Sequence, residues 1–249
     1  MEKSLPAFFG RVGSKRSLKD KIYRMMPKDY DKYIEPFVGG GAVYFGLKTN
    51  KPAVINDLDS ELMKNYKIMK KGVNITPAVL EKYKTKGSLP ELNKILNSPA
   101  SGDIPYIVKS LAKYNATFGN IGRGKAYKTK DLVAKLKKVP EYTEKLKNTT
   151  ILNQDYGSVI KKYDSPKAFF YLDPPYEDSG KLYKKGDFDF ERLARILRGI
   201  KGKFLLSLND SSAIRNIFKG FKISGTVDGG TGNAGVGEGK RREVMIKNY

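Results

Sequence analysis

Asp173-Pro174-Pro175-Tyr176 places an acid, an acceptor carbonyl and an aromatic ring within four residues. Neither proline has a backbone N–H, so the apolar run Ala168–Leu172 before them must stop pairing there. In an open α/β sheet, such a stop is the carboxyl end of a strand, where ligands bind. An acceptor side chain, an acceptor carbonyl and a flat ring suit a planar base carrying an amino group. The same four residues also read as a proline turn with a capping Asp, and the tetrapeptide alone does not separate the two.

Composition narrows the chemistry. The chain has 249 residues, with no Cys and no His. Disulfides, thiolate or imidazole metal sites and imidazole acid–base catalysis are therefore excluded. What remains is carboxylates, amines, hydroxyls, backbone groups or a bound cofactor. The length suits one large domain, or a core domain with a sizeable insert. No apolar run reaches membrane-spanning length and the first residues lack an apolar signal core, so an intracellular protein is expected. The formal charge is +22, a field that favours polyanions, with nucleic acid the default partner. Residues 64–148 hold 19 basic and 6 acidic residues, so more than half the excess lies in about a third of the chain.

The elements that must carry these groups can be read in order. Gly10 to Lys15 is a Gly-rich basic loop whose spacing is wrong for a P-loop, and Ser17 is placed to cap the helix after it. Tyr33–Val38 reads as a strand running into Gly39-Gly40-Gly41 and a helix from Ala42, the form of a nucleotide-binding first crossover. The dinucleotide fingerprint fits poorly, so NAD is not expected. Ala53–Asn56 is a second strand. Asp57 follows it where a ribose hydroxyl pair would be held, while Asp59 or Ser60 caps the next helix. From Gly72 to Asn148 the strand–helix rhythm breaks into a basic helical block. It includes a clean helix over Ile104–Tyr114, one or two helices around Pro140, and an interleaving of Gly, aromatic and basic residues from Asn115 to Lys128 suited to phosphate contact and base stacking. Strands resume at Thr150–Asn153, before Asp155-Tyr156, and at Lys203–Leu208. Phe221–Thr226 and Arg242–Lys247 suit a terminal antiparallel pair. Three acids, Asp57, Asp155 and Asp173, thus end three inferred strands and would line one crevice. An adenosine-like cofactor could take Asp57 at its ribose and Asp155 at its amino group, leaving Asp173 for a second substrate.

Glu35-Pro36-Phe37-Val38-Gly39-Gly40-Gly41 together with Asp173-Pro174-Pro175-Tyr176 resembles the Dam-type DNA adenine-N6 methyltransferases of the D12 (α) class. The likeness runs on through Phe9 to Lys15, Asn56–Asp59, Asp155-Tyr156, Ser207–Asp210 and the tail Glu243–Tyr249, in the family's order. The resemblance implies an α/β fold: a Rossmann-like methyltransferase sheet with helices on both faces and an inserted, mainly helical DNA-recognition domain. The catalytic part would be residues 1–70 and 149–249, and the insert residues 71–148. It further implies S-adenosylmethionine as cofactor, double-stranded DNA as partner and no metal. Cofactor residues carried over are Phe9, Gly10, Lys15, Glu35, Pro36, Phe37, Gly39, Gly40, Gly41, Asp57, Asp155, Tyr156 and Asp173. The catalytic set is Asp173, Pro174, Pro175 and Tyr176, the last stacking on a flipped base. Asn115, Asn120, Arg123, Lys125, Lys128 and Tyr183 are expected at DNA. The first loop departs from the family's aromatic-Ala-Gly-Gly pattern, since Arg11-Val12-Gly13 intervenes. The tetrapeptide serves cytosine-N4 transfer as well as adenine-N6. Transfer to RNA, and a DNA-binding module on an inactive methylase core, stand as further alternatives.

Overall fold

The computed structural model describes residues 4–11, 13–15, 17–84, 86–117, 124–175, 188–225, 227–228 and 242–249. Five parallel strands form its centre: β1 (Lys32–Glu35), β2 (Ala53–Asn56), β3 (Thr149–Leu152), β4 (Ala168–Leu172) and β5 (Lys203–Asn209). Three short C-terminal strands follow: β6 (Lys222–Ile223), β7 (Val227–Asp228) and β8 (Arg242–Lys247). The order is β3-β2-β1-β4-β5-β8-β6, with β7 also on β8, and β8 runs antiparallel to its neighbours. The expected terminal pair is therefore present, and its last strand is wedged between β5 and β6. From β1 the chain winds outward to β3, then returns to place β4 on β1's other side. The topological switch lies between β1 and β4, where an open sheet leaves its binding crevice.

The central strands are β-branched, aromatic or Leu-rich, and β2 and β4 are buried along their whole length. Such continuous apolar runs belong to a parallel sheet covered on both faces. Tyr33, Ile55, Phe169, Tyr171, Leu205 and Met245 point to one face, and Ile34, Val54, Phe170, Leu172, Leu206 and Ile246 to the other. The second face is covered by α9 (Tyr156–Tyr163), α10 (Phe190–Arg198) and α11 (Ser212–Ile217). The first is covered by α1 (Lys19–Met25), α2 (Ala42–Gly46) and α3 (Ser60–Lys71).

The helical block consists of α4 (Pro77–Tyr83), α5 (Leu89–Asn97), α6 (Asp103–Ala116), α7 (Leu132–Leu136) and α8 (Val139–Leu146). Its Leu92, Leu111, Tyr114, Leu136, Tyr142 and Leu146 join the same apolar cluster as Phe8, Phe9 and Phe45. The block between residues 71 and 148 is thus packed into the first face of the sheet. Pro140 lies in the first turn of α8, with α7 before it, so the segment holds two helices. One local expectation changes and one open choice is settled. Ser17 does not cap α1, because a turn from Lys15 to Leu18 runs directly into the helix and puts Leu18 at the cap. Asp59, not Ser60, caps α3 through Leu62 N–H at 3.0 Å.

Candidate active site

Glycine chemistry shapes the floor of the crevice. A Cβ on Gly40 would stand 2.2 Å from the Phe9 carbonyl oxygen. Gly41 caps α2 at φ 73°, a left-handed value that favours glycine. The backbone can therefore follow β1 into α2 with no side chain filling the turn. Asn56 ties three strand ends together: its Nδ2 donates to the carbonyls of Pro36 and Gln154, both at 3.0 Å, and its Oδ1 accepts from Gln154 N–H.

Asp57 stands beside this turn. Its Oδ2 accepts from Gly39 N–H at 2.9 Å and its Oδ1 from Asp59 N–H at 2.9 Å. Burial pushes its carboxyl up, against the pull of Arg11 and these two N–H groups. Each oxygen keeps a lone pair for a hydroxyl donor. Phe37 packs against Tyr156 at 5.2 Å and Phe188 at 5.7 Å, giving an aromatic wall on the neighbouring side. An acid, an open glycine turn and ring faces fit an adenosine-type cofactor by donor set and by shape.

Asp155 is more heavily engaged than its sequence position suggests. Its Oδ1 caps α9 through Gly157 and Ser158, and Arg192 grips both oxygens at 2.6 and 2.9 Å. That guanidinium, first among the causes, holds the Asp155 carboxyl below the usual range. Arg192 also lies over the Tyr156 ring at 4.7 Å, so the pair aligns the aromatic wall. Oδ2 retains a lone pair for a ligand.

Asp173 ends β4 across the switch from Glu35. Its Oδ1 meets Lys15 Nζ at 2.8 Å and Ser207 Oγ at 3.1 Å. Lys15 is buried and also reaches the Gly13 carbonyl at 3.1 Å and Glu243 at 3.6 Å. Glu35 is buried and accepts the Tyr33 hydroxyl at 2.6 Å. Burial pushes its carboxyl well up, and the charges of Asp173 and Asp57 add to that, against the Tyr33 hydrogen bond. Pro174 is buried beside these groups and Pro175 partly so.

The structure brings together Lys15, Glu35, Pro36, Gly39–Gly41, Asp57, Asp173 and Pro174 at one sheet edge. Two expectations are corrected in detail. The Phe9 ring is fully buried between Tyr66 and Tyr114, each 5.7 Å away, so only the Phe9 backbone reaches the glycine turn. An apolar ring is better placed in that core than at a wet crevice. Asn115 does not present itself to DNA: it is 9% exposed, its Oδ1 accepts from Gly10 N–H at 3.0 Å and its Nδ2 donates to the Leu111 carbonyl. A buried amide satisfied at both ends is a structural tie. Lys125 is exposed, and Lys128 is half-buried over the ring of exposed Tyr127 at 5.0 Å. Tyr176, Asn120, Arg123 and Tyr183 lie outside the described residues.

Arg192, Phe188, Tyr171 and Glu243 were not singled out for a role by sequence. A hydroxyl inside Leu205-Leu206-Ser207-Leu208 and an acid opening Glu243-Val244-Met245-Ile246 are legible signals of polar groups in buried strands. Arg192 and Phe188 carry no comparable mark. Among the described residues, no helix is long and apolar enough to cross a membrane.

Over 284 residues the chain is 28% identical to the type II methyltransferase M1.LlaDCHI of Lactococcus lactis subsp. cremoris, covering 99% of this chain and 96% of that protein. It is 27% identical over 298 residues to the type II methyltransferase M.MjaIII of Methanocaldococcus jannaschii, covering 97% and 98%. Among solved structures, the glycopeptide N-methyltransferase MtfA complexed with S-adenosyl-L-methionine aligns over 99% of this chain and 97% of that one. The TM-score of that alignment is 0.41 and the identity 12%. A sequence model of the D12 class N6 adenine-specific DNA methyltransferases matches residues 12–95 and 107–226, well over half the chain. The chain belongs to that family.

Proposed function

We propose that this protein transfers a methyl group from S-adenosylmethionine to N6 of an adenine flipped out of duplex DNA, at a specific site. The observation that carries this reading is the placement of Asp173 and Pro174 at the switch between β1 and β4, beside the glycine turn and Asp57. The bound cofactor supplies an electrophilic methyl on a sulfonium. Gly39–Gly41 leave room for it, Asp57 accepts its ribose hydroxyls, and Phe37 and Tyr156 flank its base. Asp155 Oδ2 is the acceptor for its amino group.

An aromatic exocyclic amine is a poor nucleophile, because its lone pair is delocalised into the ring. With one N–H accepted by Asp173 and the other by the Pro174 carbonyl, that nitrogen is drawn toward tetrahedral geometry and the lone pair is localised. Acceptors held in place before the reaction also stabilise the positive charge that develops on the nitrogen. This chemistry needs no imidazole, in keeping with a chain that has no His. Tyr176 offers the stacking face for the extruded base. Residues 71–148 serve target recognition, with Lys125 and Lys128 at the phosphates and Asn120 and Arg123 as further contacts, and Tyr183 adds a contact from outside that block.

The test is methylation of a plasmid of known sequence by wild type and by Asp173→Ala, followed by nucleoside analysis. The expected result is N6-methyladenine with wild type, and a loss of at least about a hundredfold in the variant with cofactor binding kept. N4-methylcytosine as the product, or a fully active variant, would overturn the reading.

A further inference from the structure

The role of Ser207 rests on the proposed reading of Asp173. Leu172 pairs with Leu206, so the residues that follow, Asp173 and Ser207, lie side by side at the sheet edge. Ser207 is fully buried within an otherwise apolar stretch of β5, and Tyr171 is fully buried on the same face of β4. Hydroxyls in such surroundings are destabilising unless bonded. Tyr171 Oη lies 3.1 Å from Ser207 Oγ. Ser207 Oγ in turn lies 3.1 Å from Asp173 Oδ1 and 3.4 Å from the Leu172 carbonyl oxygen.

Counting protons gives this chain a direction. Burial, and then the charge of Asp173, keep the Tyr171 phenol protonated. Among the described residues its one hydrogen-bond partner is Ser207 Oγ, so Tyr171 donates there. The Ser207 proton is then directed to an acceptor, and the carboxylate is both nearer and charged. Lys15 converges on the same oxygen. Oδ1 is thus held from two sides, while Oδ2 takes no hydrogen bond among the described residues. The terminal torsion of an Asp is broad. A lysine ammonium, a point charge with rotatable donors, does little to fix it. A directional hydroxyl on a rigid strand does fix it.

We propose that Ser207, oriented by Tyr171, is a positioning residue that locks the Asp173 carboxylate so that Oδ2 is the oxygen offered to the target amine.

Single-turnover methyl transfer by wild type, Ser207→Ala, Tyr171→Phe and the double variant tests this, with KM for DNA and calorimetric cofactor binding alongside. Loss of one hydrogen bond to a charged group predicts a transfer rate lower by about 10- to 100-fold in Ser207→Ala. KM and cofactor affinity should stay within about twofold, since the contact acts on the chemical step. Tyr171→Phe, nearly isosteric, should lose less, and should lose nothing further in the Ser207→Ala background. Wild-type transfer rates in Ser207→Ala, additive losses in the double variant, or a loss that appears only in KM would each overturn the proposal. Should Ser207→Ala fail to fold, an undiminished rate in Tyr171→Phe overturns it and a reduced rate with KM unchanged supports it. The wild-type reaction separates the two levels: if wild type itself transfers no methyl group to DNA, the functional reading fails, whatever the variants do.

Discussion

Glu35 ends β1 with a carboxyl buried against Tyr33 and facing two other acids. Its folded pKa is raised above the unfolded value of about 4.3. The folded state therefore keeps a proton that the unfolded chain releases, and stability falls as pH climbs above that unfolded value. The loss levels off once the folded carboxyl has ionised as well. Glu35→Gln keeps an acceptor for the Tyr33 hydroxyl and has no such titration. The variant should gain stability relative to wild type from about pH 4 upward, read as urea midpoints over a pH series. Curves that stay parallel over that range would contradict the assignment. Asp59 titrates in the opposite sense. Burial works to raise it, but Arg11, the Leu62 N–H and the Tyr114 hydroxyl outweigh burial and hold it low. Its stabilisation is present above the unfolded value and fades as the solution is acidified.

At the scale of elements, the last turn of α6 is tied to the loop at Gly10 and Arg11. Asn115 accepts from Gly10, Tyr114 donates to Asp59 at 3.0 Å, and Arg11 pairs with Asp59 at 2.7 Å. Arg11 also lies over the Tyr114 ring at 5.4 Å. The helix that leads into the proposed recognition segment therefore rests on Gly10 and on Arg11 and Asp59, the latter two beside Asp57. Asn115→Ala leaves the Gly10 N–H buried without its acceptor, which costs about 1–3 kcal/mol. Chemical denaturation should show that loss, and calorimetry should show weaker cofactor binding because Gly10 and Arg11 lose their support. Unchanged cofactor affinity in a destabilised variant would confine Asn115 to a packing role.

At the scale of the whole molecule, charge and chemistry are separated. In the crevice the acids are paired with Lys15, Arg11 and Arg192, while more than half of the positive excess lies in residues 64–148. Phosphate contacts release counterions, so affinity for DNA falls with salt at a slope of about −0.9 per contact. Lys125 is exposed in the segment that follows α6. Lys125→Ala should weaken binding across unrelated DNA sequences and reduce the magnitude of the salt slope by about 1. Fluorescence anisotropy at several salt concentrations measures both, and an unchanged slope would place the DNA track on another face.

Much of this protein is legible in its residue order, because the signals are local. Two prolines stop a ladder, three glycines open a turn, and buried parallel strands are apolar throughout; β2 and β4 fall on the residues read from sequence. The absence of His and Cys removes whole classes of chemistry before any fold is considered. Tertiary structure decided what depends on distance between remote residues. Asp173 and Ser207 meet because β4 pairs with β5, Glu243 joins them because β8 runs along the other side of β5, and Lys15 because the first loop folds over the sheet edge. Arg192 finds Asp155 from 37 residues away, and Asn115 finds Gly10 from 105. The burial of the Asn115 amide and the Phe9 ring has the same origin. Their polar or aromatic character is visible in a sequence, but whether it faces solvent or the interior is set by helices packed from elsewhere in the chain.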